Sequence, residues 1–402
     1  MRTAIIGAGP AGLVLGAALA RRGAQVTLVD RDPGPPAEGP WARKGVMQFH
    51  HAHEIRSQVV DTLRRELREA TSCFSGSEPS PPRCHCRTGR PPWWACGAGA
   101  ARMSGGARGR RHRTRSDPPH RSVDDVLETV DSAGRHAAGI VIDGDFLEAD
   151  LVVDASGRSG RVNRDRRAPA SSGGICGIAY VDRVYQLAPG AEPGPMVNPI
   201  AWQANCDGYQ CLVFRHERGI FSALVIRSTD DRDLVGLRHN TAFDAAVAAI
   251  PGLAQRADPE RSRPLTDVLP GGTLKSACRS QRGPDGGLAL PGLLFVGDSV
   301  CTTTPNFGRG LATTMLQVDE ALPPLDTTVD VGGSVSTTGL TELVEAFDEW
   351  TEANMRPWVE DHAVMDESLR RRWAREDLDL SGPRLPSDLM EASRVDERIA
   401  AA

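Results

Sequence analysis

Lysine is almost missing from this chain: Lys44 and Lys275 are the only two, against 45 arginines in 402 residues. The bias marks a GC-rich coding sequence rather than a surface for nucleic acid. Acidic residues outnumber basic ones 52 to 47 and the formal net charge is −5, so no general attraction to phosphate backbones is built in. Aromatic residues are scarce at 5%, with three tyrosines. No run approaches the ~20 apolar residues of a membrane span. The one long apolar stretch near the start is broken by glycines and has neither a charged leader nor a cleavage site. These absences lead us to expect a cytoplasmic protein without an integral membrane segment. Nine cysteines, an odd number without a signal peptide, favour reduced thiols over a disulfide framework. With 40% hydrophobic and 25% charged residues, the chain can bury a large core in about two to three lobes.

A second absence is local. From Thr71 to Ser122 there is no Leu, Ile or Val, while there are ten Arg, seven Gly, seven Pro and four Cys. A packed α/β domain does not have this composition. Three explanations compete: a disordered basic insertion, a Cys/His metal module, or translation in the wrong frame. Cys73, Cys84, Cys86 and Cys96 lack the paired C-x-x-C spacing of a zinc knuckle. The frame idea has content of its own, because Trp93-Trp94 must be encoded TGGTGG. Read two bases on through Met103, permitted third bases give Val-Gly-Leu-Arg-Cys-Arg-Arg-Gly-Thr-Tyr-Glu. Over Gly109 to Ser116 the frame one base on permits Ala-Ala-Gly-Thr-Glu-Pro-Gly.

What is present begins at the N-terminus. Thr3 to Ile6 is a short apolar strand, Gly7, Gly9 and Gly12 make G-x-G-x-x-G, Ala11 to Arg22 has helical composition, and Gln25 to Val29 is a second strand ending at Asp30. This is a βαβ unit with a dinucleotide fingerprint. The glycines allow a tight turn and close backbone approach. A pyrophosphate can then sit on the amides of the helix N-terminus, where the helix dipole favours negative charge. Asp30, 18 residues past Gly12, is placed to accept hydrogen bonds from an adenosine ribose. The candidate cofactor residues here are Gly7, Gly9, Pro10, Ala11, Gly12, Asp30 and Arg31. The pattern does not choose between NAD and FAD.

Two later segments complete it. Leu293 to Gln317 is an apolar strand running into Gly297-Asp298, then a loop with Pro305, Gly308 and Gly310 that opens a helix at Leu311. Gly139 to Gly160 reads as strands joined by Asp143-Gly144, a strong hairpin signal, and continues into Asp154-Ala155-Ser156-Gly157. With these motifs the chain resembles the FAD-dependent aromatic hydroxylase superfamily, whose type member is p-hydroxybenzoate hydroxylase. The resemblance covers most of Met1 to Ile55 and Val123 to about Trp373. It implies that Asp298 binds the flavin ribityl chain and that Pro305, Gly308, Gly310 and Leu311 start a helix aimed at the pyrimidine side of the flavin. The chemistry is sound, because reduced flavin carries negative charge there and a helix N-terminus stabilises it. Asp154 and Gly157 would end a strand beside the cofactor pyrophosphate.

Trp41 to His53, WARKGVMQFHHAH, is similar to a G-V-P-Q-x-x-H-x-H segment found in a subset of that superfamily. Gly45, Val46, Gln48, His51 and His53 match, and Met47 replaces the proline. By resemblance Arg43, Gln48 and His53 lie near the flavin ring, while Arg43 and Lys44 can meet phosphates. The tight spacing of His50, His51 and His53 within one loop, without a cysteine nearby, disfavours a metal site. No metal is expected.

The implied fold class is α/β: a Rossmann-like FAD-binding domain of glutathione reductase type, with an interleaved β-rich substrate domain and a C-terminal helix. The expected divisions are 1–70, FAD-binding; 71–122, anomalous; 123–168, return strands; 169–290, substrate domain; 291–322, Gly-Asp motif and helix; 323–402, loop and helical region. Within the middle part, Cys176 to Leu187, Tyr209 to Phe214 and Ile220 to Arg227 read as strands, with a tight turn at Glu217-Arg218-Gly219 and a helix from Leu237 stopped by Pro251. Trp202, Tyr209, Phe214 and Phe221 are available to line a substrate cavity. Pro323 to Gly339 reads as a loop, and Thr341 to about Glu376 as a long packing helix.

The resemblance implies a monooxygenase using NAD(P)H and O2 on an aromatic or alkene small molecule, as a hydroxylase or epoxidase. No second dinucleotide fingerprint occurs, so NAD(P)H would bind transiently. Two alternatives stay open: a reductase of the geranylgeranyl-reductase kind, and an inactive flavoprotein relative. A flavin halogenase is disfavoured by the absence of a W-x-W-x-I-P motif.

Overall fold

The computed structural model describes residues 1–34, 43–46, 49, 51, 53, 55–68, 122–132, 134–192, 194–196, 201–272, 275–327, 336–377 and 398. Two compact units share the chain discontinuously: Met1–Val46, Glu54–Gly173 and Ala277–Val359 form the first, and Met47–His53, Gly174–Ser276 and Glu360–Ala402 the second. The anomalous segment lies outside the described residues.

The first unit begins with β1 (Arg2–Ile6), α1 (Pro10–Arg21), β2 (Gln25–Val29) and α2 (Ser57–Glu66), then β3 (Val123–Asp131), β4 (Gly134–Ile142), β5 (Asp145–Glu148) and β6 (Leu151–Asp154). β7 (Ser172–Ile175) lies where the chain passes to the second unit. That unit holds β8 (Ile178–Leu187), β9 (Ala201–Asn205), β10 (Tyr209–Arg215), β11 (Ile220–Ser228), α3 (Asn240–Ala249), α4 (Pro251–Ala257), β12 (Ser262–Pro264) and β13 (Leu269–Gly272). β14 (Lys275–Cys278) leads back to β15 (Leu293–Phe295), β16 (Cys301–Thr302), α5 (Gly310–Thr327) and α6 (Thr337–Asn354), and α7 (Arg356–Trp373) starts in the first unit and continues into the second.

In the first unit four parallel strands lie in the order β15-β6-β1-β2. Parallel strands are covered on both faces, so their sequences are continuously apolar rather than alternating. Ala4, Ile5, Leu151, Val152, Val153, Leu294 and Phe295 are accordingly fully buried. α1 packs on this sheet because its inner residues are small: a Cβ on Gly16 would lie 3.1 Å from Ile5 Cδ1. Pro10 starts the helix at its first turn, where the missing N–H costs nothing. The Asp143-Gly144 turn joins β4 to β5 with Ile142 opposite Asp145. Its φ values of 52° and 81° are those of a tight two-residue hairpin.

The second unit is an antiparallel sheet, order β12-β8-β11-β10-β9, with β13 also paired to β8. Period-two alternation divides its residues. Val181, Tyr185, Val213, Phe221, Ala223 and Val225 face Phe243 and Val247 of α3 and Leu253 of α4. Tyr180, Leu212, Leu224 and Ile226 face the other way. The Arg218-Gly219 turn that joins β10 to β11 uses φ of 57° and 71°.

Four sequence expectations shift. The helix from Leu237 starts at Asn240, after a short 3-10 stretch, and Pro251 not only stops it but opens α4. The long C-terminal helix is two, α6 and α7, separated at Met355. The loop expected from Pro323 begins later, because α5 runs through Pro323 and Pro324 to Thr327. The buried side chains of Leu322 and Leu325 hold that last turn. Residues 277–290, expected in the middle unit, pack with the first.

Candidate cofactor site

Three motifs far apart in sequence meet in the first unit. Gly7, at φ 104°, donates its N–H to Val29 O at 2.8 Å, and a Cβ there would lie 2.5 Å from Ala155 O. Gly297 approaches the first turn of α1 so closely that a Cβ would fall 2.8 Å from Ala11 Cβ, and a Cβ on Gly157 would lie 4.0 Å from Asp298 Cβ. The glycine turn, the Asp154–Gly157 loop and the Gly-Asp motif therefore border one place. Close approach is also what Gly12 supplies, since its Cβ would lie 2.0 Å from Gly7 O.

Around that convergence the structure leaves room and unused polar capacity. Gly9, the N-cap of α1, has backbone φ −74° and ψ −179°, no side-chain cap, and nothing within 4 Å of where its Cβ would point. An uncapped helix N-terminus presents unsatisfied N–H groups and favours an anion. The Asp298 carboxylate makes no hydrogen bond to any described residue, and dehydration pushes its pKa up to about 6, opposed by the Arg158 charge. An acid in that state gains from hydroxyl donors. Gly310, opening α5, likewise meets nothing within 4 Å of its Cβ position. Thr303 Oγ1 and Asn306 Oδ1, buried in the loop before it, have no hydrogen-bond partner.

This arrangement fits a flavin dinucleotide. The α1 N-terminus would hold its pyrophosphate, Asp30 its adenosine ribose, Asp298 its ribityl hydroxyls, and the α5 N-terminus its pyrimidine edge.

The other predicted residues fall differently. Asp30 accepts from Ala8 N at 2.6 Å and Arg43 Nη2 at 2.8 Å on Oδ2, and from Asp32 N at 2.7 Å on Oδ1. Arg43, expected beside the flavin ring or phosphates, is buried. It donates Nη1 to Ala8 O at 2.8 Å and Nε to Asp32 Oδ2 at 3.1 Å. Two carboxylates and a carbonyl thus hold its guanidinium, which locks the glycine turn to the end of β2. Arg31 is exposed and reaches Gly45 O. Asp154 is fully buried. It accepts from Ser156 N, Ser156 Oγ and Ser299 Oγ on one oxygen and from Asn163 Nδ2 on the other, so it shapes the loop rather than lining the opening. Pro305 opens a short 3-10 turn ended by Gly308 at φ 61°, and Leu311 lies in the first turn of α5. His53 is exposed, and Gln48 lies outside the described residues.

Sequence reasoning missed Arg56, which donates Nη2 to Phe307 O at 2.6 Å and Nε to Gly308 O at 3.4 Å. It ties the start of α2 to the turn before α5, and a single arginine 251 positions before Phe307 carries no signal of that. In the second unit, Trp202, Tyr209 and Phe221 pack on the helix-bearing side. Of the four aromatic residues available to line a cavity, Phe214 alone packs on the opposite face.

Comparison with known proteins agrees with this geometry. The family model for pyridine nucleotide-disulphide oxidoreductases matches residues 1–77. No curated protein matches the chain. Among solved structures, the myxobacterial chondrochloren halogenase, an FAD-dependent enzyme, aligns with TM-score 0.59 at 15% identity, covering 100% of this chain and 89% of that one. A flavin-dependent brominase aligns at 0.60 and 15%, covering 99% and 100%. The anhydrotetracycline hydroxylase of Streptomyces rimosus aligns at 0.58 and 15%, covering 93% and 70%. The fold is therefore the α/β, Rossmann-type FAD-binding architecture of flavin-dependent halogenases and hydroxylases. Both chemistries share it, so the fold does not choose between them. No described helix is long and apolar enough to cross a membrane.

Proposed function

We propose that the protein is an FAD-dependent monooxygenase, a hydroxylase or epoxidase that uses NAD(P)H and O2 on an aromatic or alkene small molecule. The observation that carries the reading is the convergence of Gly7–Gly12, Gly157 and Gly297-Asp298 around space left by Gly9, with Asp298 unpartnered and dehydrated.

When bound, the flavin supplies electron transfer from NAD(P)H to O2, with one oxygen atom delivered to the substrate and the other leaving as water. The residues of this chain bind and orient. The α1 N-terminus neutralises the pyrophosphate with backbone dipoles rather than side-chain charge, consistent with the absence of acidic residues in its first turn. Asp298 accepts from hydroxyls and is driven to its ionised form by doing so. Arg43 fixes Asp30 so that an acceptor is aimed before the ribose arrives. The N-terminus of α5 offers positive potential to an electron-rich ring edge.

The halogenase neighbours make halide transfer the competing reading. Against it stand the missing W-x-W-x-I-P motif and the exposure of Lys44 and Lys275, the only lysines. The first test is the visible spectrum of the purified protein with added FAD. Flavin bands that stay with the protein through gel filtration support the reading, and a colourless protein overturns it. Turnover of candidate aromatic substrates with and without bromide then separates hydroxylation from halogenation.

A further inference from the structure

The second unit carries a buried acid that the cofactor site does not use. Asp182 sits at an inward position of β8 with no exposed surface, directly opposite Leu224 of β11 and Leu269 of β13. Its Oδ1 accepts from His51 Nδ1 at 2.9 Å, while Oδ2 is buried without a hydrogen-bond partner. A carboxylate on an apolar sheet face is costly unless it is paired.

His51 is itself nearly buried and stands edge-on to the Tyr180 ring at 5.0 Å. The bond from Nδ1 to the carboxylate fixes the tautomer and makes Nε2 the acceptor. That nitrogen bonds no described residue. The neighbouring histidine on this side, His216, bonds Ser222 at 2.8 Å; burial lowers its pKa, opposed by the charge of Asp182.

The surroundings limit what such a pair can serve. Leu212, Phe214, Val184 and Leu224 share its face. The positions of β8, β10 and β11 that point this way hold no lysine or arginine. Among the described residues of these three strands a ligand carboxylate finds no cation. A flat apolar ring finds a wall, and a single acidic hydroxyl finds a single base.

We propose that His51, oriented by Asp182, is the proton acceptor of a ligand site on this face, and that the ligand is a hydroxyaromatic without a carboxylate. In the step the ligand O–H bond breaks and an Nε2–H bond forms. The oxygen keeps the electron pair, and the new imidazolium is paired with Asp182. No oxidant or reductant enters. The monooxygenase reading underlies only the later fate of the ring, because binding and proton transfer need the second unit alone.

The probe is 4-nitrophenol, titrated with the full chain plus FAD at a pH where the free probe is mostly protonated. A saturable gain of the phenolate band is expected with the wild type, falling at least tenfold in His51→Gln and Asp182→Asn variants whose circular dichroism matches wild type. Two wild-type comparisons need no variant. 4-Nitroanisole, without a free hydroxyl, and 5-hydroxy-2-nitrobenzoate, with an added carboxylate, should each compete more weakly than 4-nitrophenol. No saturable phenolate signal, an equal signal in His51→Gln, or equal competition by the anisole overturns the proposal. The flavin band in the same samples reports separately on FAD binding, so loss of that reading and loss of this one are told apart.

Discussion

Gly9 and Gly12 lie three residues apart in one motif, and the structure assigns them opposite failures. A methyl on Gly12 would sit 2.0 Å from the carbonyl oxygen of Gly7, a backbone atom that cannot swing aside. Overpacking of ordinary side chains costs about 1–3 kcal/mol, and a backbone collision belongs at or above the top of that range. A methyl on Gly9 meets nothing within 4 Å, and its backbone angles suit any residue. The loss of chain entropy in the unfolded state favours alanine by about 0.4–1 kcal/mol. The weaker N-cap costs a similar amount, about 0.5–1 kcal/mol, so apo stability should change by less than about 1 kcal/mol. The space that the methyl takes is where the pyrophosphate belongs. The assay is thermal or denaturant unfolding of wild type, Gly9→Ala and Gly12→Ala, each with and without FAD. A ligand at 100 times its Kd adds about 2.7 kcal/mol. Wild type should show that increment. Gly9→Ala should match apo wild type but lose at least tenfold in affinity, about 1.4 kcal/mol of binding. Gly12→Ala should be destabilised before any ligand is added. A Gly9→Ala protein that binds FAD as tightly as wild type refutes the placement of the pyrophosphate.

Arg43→Met should cost about 3–5 kcal/mol of stability, because it leaves Asp30 and Asp32 facing each other half-buried without their cation; urea unfolding of the apo protein measures it, and a loss below 1 kcal/mol would show the pairs to be replaceable by water. The raised pKa of Asp298 gives a pH dependence whose sign follows from proton counting. Between about pH 4 and the folded value near 6, the native state holds the proton that the unfolded state releases, so apo stability falls as pH rises across that window. The effect is on the order of 2 kcal/mol. Asp298→Asn should abolish it, and wild-type and variant stability curves that run parallel from pH 4 to 7 would refute it. Arg56→Ala, which frees the carbonyls of Phe307 and Gly308, should weaken FAD binding more than it lowers apo stability, read by the same pair of unfolding curves.

The parts of this fold legible in the sequence share one property: their signal is local. The G-x-G-x-x-G turn, the Asp143-Gly144 hairpin and the strand running into Gly297-Asp298 are each specified within a dozen residues, and the structure forms all three. What was illegible depends on distant partners. Arg43 reads as a phosphate ligand until Asp30 and Asp32 are seen to hold it. Asp154 reads equally as a cofactor-side acid and as an ordinary strand-end acid until its four hydrogen bonds are counted. Asp182 gives no sign of itself, since one acid in an apolar strand predicts an edge or a turn rather than a buried partner for His51. Helix ends behave similarly: Pro323-Pro324 signals a stop, but the burial of Leu325, the next residue, extends α5 beyond it.

The Leu-, Ile- and Val-free stretch bears on the sheet as well as on composition. β2 pairs with β1 through five residues from Gln25 to Val29, and no described strand pairs with its other side. Its residues Val26, Leu28 and Val29 are nevertheless buried. Doubly wound sheets usually continue outward from the second strand, fed by a short crossover. After α2 the chain enters the segment from Thr71 to Ser122, which has no Leu, Ile or Val to build a strand. The alternative frame through Trp93-Trp94 permits Val-Gly-Leu-Arg, an apolar start of the kind such a strand needs. We expect the gene to carry compensating insertions or deletions that flank this stretch. Restoring the frame should give a protein that is more stable and holds FAD more tightly than the present chain. A nucleotide sequence whose other frames offer no Leu/Val-rich segment across the region would remove the idea.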